Sequence, residues 1–588
     1  MSCEGRAWPN IRLGVSLCIH VFLKGFGRPH QRTRVKEARP LSLVSLTIME
    51  HEIMIKILVM LVCLLTAIVG EARTGAVEGF SITYSINADG TATIGGDSSC
   101  AISPKPTGVF DVPSQLEGHK IVAIGSQAFS RCGDLVAVKI PPGVTNVGER
   151  SFFGCDELRS VFLPANLISI GDAAFFNCRR ICSITTPASL KHIGDKAFGM
   201  CLNLTELTLT HGIETIGKGA FSACRGITNL VLAGSLKEIE DEAFLGCSGI
   251  KSIEIPHSIR RIGNHAFASC GVLDLIVPGN VEEIGIGAFG SCTRMKRLTI
   301  AEGVKCISAR AFVECSGLSS VTIPSSVTDI GVQAFSDSFS LASSTGLKEV
   351  VIKDGVERIG ASAFKGCIAL EKVDLPQSLK EIGSMAFRDC CRISSLNFSN
   401  CLTNIGNWAF DGCRTLSGLV IPCSVQRIGI QAFSGCSGLR KLTMNEGLIE
   451  IGQGAFCGCL NLNAIRIPES VRTIGDSTFT GCSALERVEW CSHIENVPTG
   501  MFEHCSSLSE VLIPDGTRFI GRMAFAKCSN LSVVTIPPTL TAIGRDAFLG
   551  CEKLQTVQTR GLDVASVMRL LAESGFVFKS TKINVVMH

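Results

Sequence analysis

Charge is scarce in this chain and almost balanced. The 55 Lys and Arg residues face 52 Asp and Glu, a net of +3, and together they make up only 18% of 588 residues. A nucleic-acid binder needs a basic footprint, and the sequence has neither that nor an acidic tail. Long apolar runs are equally few. The longest, Ile57–Val69, has about 13 residues, short of the ~20 that span a bilayer, and with no second run downstream no C-terminal span is expected. Catalytic motifs are missing too: there is no phosphate loop, no HExxH, no dinucleotide fingerprint and no CxxC pair. The 11 histidines fall at no metal-ligand spacing. His211 and His257 share a repeat phase but lie two coils apart, ~10 Å, and are read as solvated turn residues. No catalytic, cofactor-binding or metal-binding residue is therefore assigned, and the chain is read as a non-enzyme without a cofactor.

What the chain has in abundance is repetition. A stretch plain at Ile428–Leu439 (IGIQAFSGCSGL) and Ile451–Leu462 (IGQGAFCGCLNL) recurs in 19 copies, anchored by phenylalanines from Phe129 to Phe548 spaced almost always by 23 residues. The exceptions are a 22-residue step from Phe267 to Phe289 and a 29-residue step from Phe335 to Phe364, which requires an insertion near Ser336–Gly346. A period of 20 to 29 residues carrying L-x-x-[IV]-x-[IL] marks a leucine-rich repeat, in which each copy gives one short strand and one return segment. No coil can bury so many apolar groups alone, so coils must stack.

The copies serve as one another's comparison set. The residue five before the Phe is Ile in 17 copies and Val in two, Val147 and Val497, as an inward strand position facing itself above and below requires. The next residue is Gly in 16 copies, replaced only at Glu240, Ser308 and Pro498. Such a Gly implies either a backbone angle closed to other residues or a close backbone approach. The residue before the Phe is Ala in 16 copies, and the Phe itself is expected in the core.

The pattern C-x-x-L-x-x-[IV]-x-[IL]-P-x-x-[VL]-x-x-I-G-x-x-A-F resembles the BspA-like leucine-rich repeats, a class also named after a treponemal protein, over about 440 of the 588 residues. The resemblance implies a secreted or cell-surface protein that binds proteins or extracellular-matrix components, with adhesion to host matrix or other cells as the implied role and no activity in the repeats. An intracellular structural scaffold and a receptor-like protein held by an uncleaved N-terminal helix are the alternatives. The expected fold is an α/β-type repeat solenoid of about 19 coils, with short parallel strands on one face, short turns or helical segments on the other, and a cap at each end.

Of 29 cysteines, 18 fill one slot three after the Phe, from Cys132 to Cys551, with Ser338 the lone substitution. Stacked coils bring them ~4.8 Å apart, but with side chains parallel where a disulfide needs opposed ones, so a buried ladder of free thiols is expected. Among the other eleven, only Cys401 and Cys423 sit at nearly the same phase of adjacent coils, which makes them the disulfide candidates.

In chain order, residues 1–48 are basic and irregular and are read as an upstream extension, with Met49 or Met54 as the biological start. Residues 49–72 have the layout of a signal peptide: a charged start, the apolar run, and small residues before a cleavage point after Ala72. Residues 73–120 contain two alternating strands around Asn87-Ala88-Asp89-Gly90 and are read as an N-terminal β-hairpin cap. Repeats occupy 121–560. In 561–588 the period gives way to helical spacing after Asp563, an N-cap, followed by a strand, read as a C-terminal cap.

Two surfaces are candidates for binding. One is the outward row seven after each repeat cysteine, with Thr208, Glu254, Thr299, Thr322, Asp374, Asn397, Thr443, Arg466, Glu489 and Thr535 as its polar members. Solenoids bind along such extended faces, although recurring Thr also follows from strand propensity alone. The other is an apolar patch in which Met385 and Trp408, two before the Phe in adjacent coils and expected to be exposed, join Phe339 and Leu341 of the insertion.

Overall fold

In nearly every coil the chain makes a strand, turns, makes a second and shorter strand, and turns twice more before the next coil begins. The computed structural model describes residues 72–95, 99–337, 346–576 and 584–587, all within one unit, Gly70–His588. The expectations for residues 1–71, and for Phe339 and Leu341 of the insertion, fall outside the described residues. The first strand is the leucine-rich one. Gly418–Ile421 pairs in parallel with Lys441–Met444, each residue with the one 23 further on. Alternation sorts its side chains: Leu419 and Ile421 are buried while Val420 between them is 54% exposed.

The second strand has only two residues and forms the more continuous ladder. Arg427–Ile428 pairs with Glu450–Ile451, and that with Thr473–Ile474. In this way the ladder Ile of each coil faces its own copies and is buried in nearly every one. The result is a parallel-strand solenoid of about 19 coils whose return segments are turns.

A helix is excluded from those returns by two backbone positions. The residue two before the Phe is left-handed in all 19 coils, with φ from +50° to +61°, and the residue two after it is left-handed in 18, with φ from +56° to +78°. Left-handed residues four apart cannot belong to one right-handed helix. The one helix among the described residues is Val564–Glu573, where the repeat has ended; Asp563 caps it by accepting from the Ser566 amide.

Two columns run through the interior. Phenylalanine rings stack coil on coil from Phe129 to Phe548, with centroids 4.8 to 5.8 Å apart and planes within 15°. Neither irregular step disturbs it: Phe267–Phe289 and Phe335–Phe364 both stack at 5.4 Å. Edge-on rings end the column, Phe110 against Phe129 and Phe576 against Phe548.

Beside it runs the thiol column. In 17 coils the cysteine Sγ donates to the carbonyl of the phenylalanine in the preceding coil at 3.0 to 3.5 Å. The residue must be small, apolar in bulk and still able to donate, which cysteine satisfies. All 18 ladder cysteines are buried and unbridged, and Cys401 and Cys423 are free and exposed.

The recurrent Gly after the ladder Ile is explained by close approach. Its φ is not positive; instead, a Cβ built at Gly406 would lie 2.6 Å from the carbonyl carbon of Gly383 and from the Ser384 amide. The left-handed angles fall instead on positions filled by Lys196, Glu242, Met385 and Trp408 among others. In most coils this Gly donates its amide to the ladder residue of the coil before, as Gly452 does to Ile428 at 2.8 Å. Ser308, one of the three exceptions, keeps that bond at 3.0 Å. At the other two, Glu240 and Pro498, the ladder stops. One sheet ends at Thr215–Ile216 and the next begins at Glu238–Ile239; that one ends at Thr473–Ile474 and the last begins at Asn496–Val497. Proline has no amide to give, and the bulk of glutamate prevents the close approach.

Candidate functional site

The outward row of the leucine-rich strands lines up as its spacing predicts. Thr185, Thr208 and Val231 are mutual register partners, as are Thr322, Val351 and Asp374, Ile276 and Thr299, Val420 and Thr443, and Arg466 and Glu489. Of the ten polar candidates, Glu254, Thr299, Thr322, Asp374, Asn397, Arg466 and Glu489 are exposed, and Thr208 and Thr443 are half-buried. Thr535 is a correction. It is only 5% exposed and donates through Oγ1 to Gln558 Oε1 at 2.9 Å, so the side chain of the next coil covers it. Glu254 and Asn397 also differ from their neighbours in lying outside any named strand.

The row is less polar than its threonines imply. Phe162, Val231, Ile276, Val420 and Leu512 are 45 to 65% exposed. Strand alternation pointed them outward in the sequence, and apolar side chains there have no packing reason. Ion pairs flank the row, such as Lys372 Nζ with Glu349 of the coil before at 2.7 Å and with Asp374 of its own strand at 3.2 Å. Exposed as they are, they contribute little to stability.

The expected apolar patch does not form as an exposed Met-Trp pair. Met385 and Trp408 are half-buried, each on left-handed backbone (φ +58° and +55°). Trp408 Nε1 donates to Gln431 Oε1 of the next coil at 2.5 Å.

The ladder face carries a feature that no periodicity announces. A cleft of about 840 Å³ opens at the Pro498 interruption, lined by Arg472, Thr473, Ile474, Asp476, His493, Glu495, Asn496, Thr499 and Phe519. A second, of about 530 Å³, lies by Glu240 and includes His192, Asp195, Thr215 and Lys218. Ile474 is half-buried where most ladder isoleucines are fully covered, and Phe519 is 39% exposed. Side chains bridge part of each gap: Lys218 Nζ lies 3.4 Å from Glu242 Oε1, and Asp476 Oδ1 accepts from the Thr499 amide at 3.0 Å.

The thiols are chemically quiet. Burial raises the pKa of Cys292 to about 12, and that of Cys315 and Cys390 well above the usual thiol range. A thiolate is the reactive form, so these groups are inert at neutral pH. Among the described residues, no group of three His, Cys, Asp or Glu could hold a metal ion, and no helix is long and apolar enough to cross a membrane.

The model of the BspA type leucine-rich repeat region, itself six copies long, matches residues 122–247, 214–342, 339–463 and 449–564. No curated protein matches. Among solved structures, a leucine-rich repeat protein from Bacteroides ovatus shares 21% identity over 86% of this chain and 98% of that one, with a TM-score of 0.38. A leucine rich cell surface protein from Faecalibacterium prausnitzii shares 24% over 71% of this chain and 95% of that one, also at 0.38. The leucine-rich repeat protein of T. pallidum shares 26% over 36% of this chain and 87% of that one, at 0.30.

Proposed function

The chain belongs to the family of BspA-type leucine-rich repeat proteins, and from that membership we propose that it is a non-catalytic protein-binding module, secreted or held at the cell surface, that adheres to extracellular matrix or to other cells. The docking face is the outward row of the leucine-rich strands. The observation that carries this reading is the mixed character of that row, in which Phe162, Ile276 and Val420 stand exposed among Glu254, Thr299, Asp374 and Arg466. Exposed apolar groups interleaved with polar ones are what protein interfaces are made of. Repetition supplies the strength, since a partner engaging several coils gains from each without any one contact being tight.

The test replaces Phe162, Ile276 and Val420 together by Lys and measures adhesion of the purified protein to plates coated with extracellular matrix and to intact cells. We expect at least a tenfold loss with unchanged circular dichroism. Undiminished adhesion, or none by the wild type, would overturn the docking face. Export is tested separately by mass spectrometry of the mature N-terminus, with cleavage near Ala72 expected. A cytosolic protein still starting at residue 1 or 49 would overturn it.

A further inference from the structure

The interruption at Pro498 is a place where the solenoid leaves main-chain hydrogen bonding unfinished, and we propose that its cleft is a docking slot for the main chain of an extended peptide. The regular ladder defines what is missing. In the coil before, the Arg472 amide donates to the Ile449 carbonyl and the Gly475 amide to the Ile451 carbonyl, both at 2.8 Å; in the coil after, the Arg518 amide donates to the Glu495 carbonyl at 2.7 Å. Across the interruption no strand pairing joins Thr473–Ile474 to Asn496–Val497. The Arg472 and Ile474 carbonyls on one wall and the Glu495 amide on the other are thus left without ladder partners. Acceptors on one wall and a donor on the other, both set along a strand direction, match the alternating donors and acceptors of an extended peptide. Unpaired strand edges recruit such segments generally.

Three further observations favour this occupant. The gap cannot be repaired from within, because residue 498 has no amide whatever the coils do. The cleft, about 840 Å³, falls within the ~300 to 1,000 Å³ of sites that enclose ligands. Its walls also offer places for side chains of both kinds, with Arg472 and Asp476 on one wall and Glu495 on the other for polar residues and the Phe519 ring for an apolar one. The pocket that reaches Glu240 lies mostly against the paired strands from Ile170 to Gly217 and is smaller, about 530 Å³, and an amide remains available at Glu240. Pro498 is therefore the site proposed. This slot is on the ladder face and does not depend on the docking row above.

The substitution Pro498→Gly restores both the amide and the close approach, and so should close the ladder. The probe is a phage-displayed library of random 12-residue peptides selected on the full-length wild-type protein. Enriched peptides are then synthesised and titrated against wild type, Pro498→Gly and Phe519→Ala. We expect at least a tenfold loss of affinity on Pro498→Gly, and at least threefold on Phe519→Ala should the first variant not fold. N-methylation of the central peptide amides should cost at least tenfold. Val420→Lys, which acts on the docking row, should leave peptide binding unchanged and so keeps failure of one surface distinct from failure of the other. Peptides that bind Pro498→Gly as tightly as wild type, or that tolerate N-methylation, would overturn the proposal, and so would a library that yields no enrichment over a blank surface. An oligosaccharide that displaced N-methyl-insensitive binders would assign the cleft to polar side-chain recognition instead.

Discussion

Ser362 and Gly383 sit in neighbouring coils and make opposite demands on their side chains. Ser362 is held at φ +56°, a conformation that costs a residue with a Cβ ~1 to 2 kcal/mol. Ser362→Gly removes that cost and adds ~0.4 to 1 kcal/mol of unfolded-chain entropy, so it should be neutral to stabilising by up to about 1.6 kcal/mol. Gly383 has no such angle, yet a Cβ there would lie 2.7 Å from the Ala361 amide nitrogen and 2.8 Å from both the Gly360 carbonyl carbon and the Ile359 carbonyl oxygen. All three are backbone atoms, so no rotamer change relieves the overlap. Ser308 shows that a small side chain is accommodated by stretching, its ladder bond being 3.0 Å where that of Gly383 is 2.8 Å. Overpacking of this kind costs ~1 to 3 kcal/mol, which leaves Gly383→Ala destabilised by up to about 2.6 kcal/mol after the entropy gain. Gly383→Glu should go further and reproduce the interruption seen at Glu240. Because a long repeat array need not unfold in one step, the assay is native-state hydrogen exchange of the amides from Ile359 to Ile405, supported by urea melts. The reasoning fails if Gly383→Ala matches wild type, or if Ser362→Gly is the less stable of the two.

Two further outcomes follow from the same geometry. Excising Ser434–Phe456 in phase brings Phe433 next to Cys457 with every inward position restored, at a cost of about 1 to 3 kcal/mol for a lost coil; removing Ser434–Asn445 instead leaves mismatched strands and should aggregate, and equal damage from both in thermal melts would contradict the stacking. Intact-mass counting after denaturing alkylation should find at least the 18 ladder thiols free. Because burial raises thiols such as Cys292 from 9.0 to about 12, stability should be complete below the unfolded thiol pKa and fall between about pH 9 and 12 by up to ~1.4 kcal/mol per thiol per pH unit; circular dichroism unchanged up to pH 12 would refute this.

Much of the fold was written in the period. The inward Ile, the Ala-Phe pair, the thiol slot and the helix behind Asp563 all follow from spacing, because each repeats against itself or ends the repeat with a cap residue. The recurrent Gly was ambiguous between angle and contact; only the distances at positions such as Gly406 decide for contact. The left-handed positions were hidden because Lys196, Met385 and Trp408 have no preference that betrays them, and for the same reason Met385 and Trp408 were expected to be more exposed than they are. Thr535 looked identical to the other row threonines until Gln558 was seen to cover it. Glu240, Ser308 and Pro498 were visible as exceptions of equal weight. Which of them break the ladder depends on an amide and on side-chain bulk a coil away.

The thiol column sets a deadline on the folding chain. Once stacked, nearly every Sγ is tied to a carbonyl of the neighbouring coil, and all are buried away from oxidants in solution. Before stacking, the same thiols have ordinary acidity and any two can meet. A covalent link between any of them fixes a loop that the parallel side chains of the solenoid cannot contain, and the error is then preserved rather than corrected. Coil must therefore follow coil faster than disulfides form, and a solenoid suits that order of events, because each finished coil shelters its cysteine before the last one has left its source.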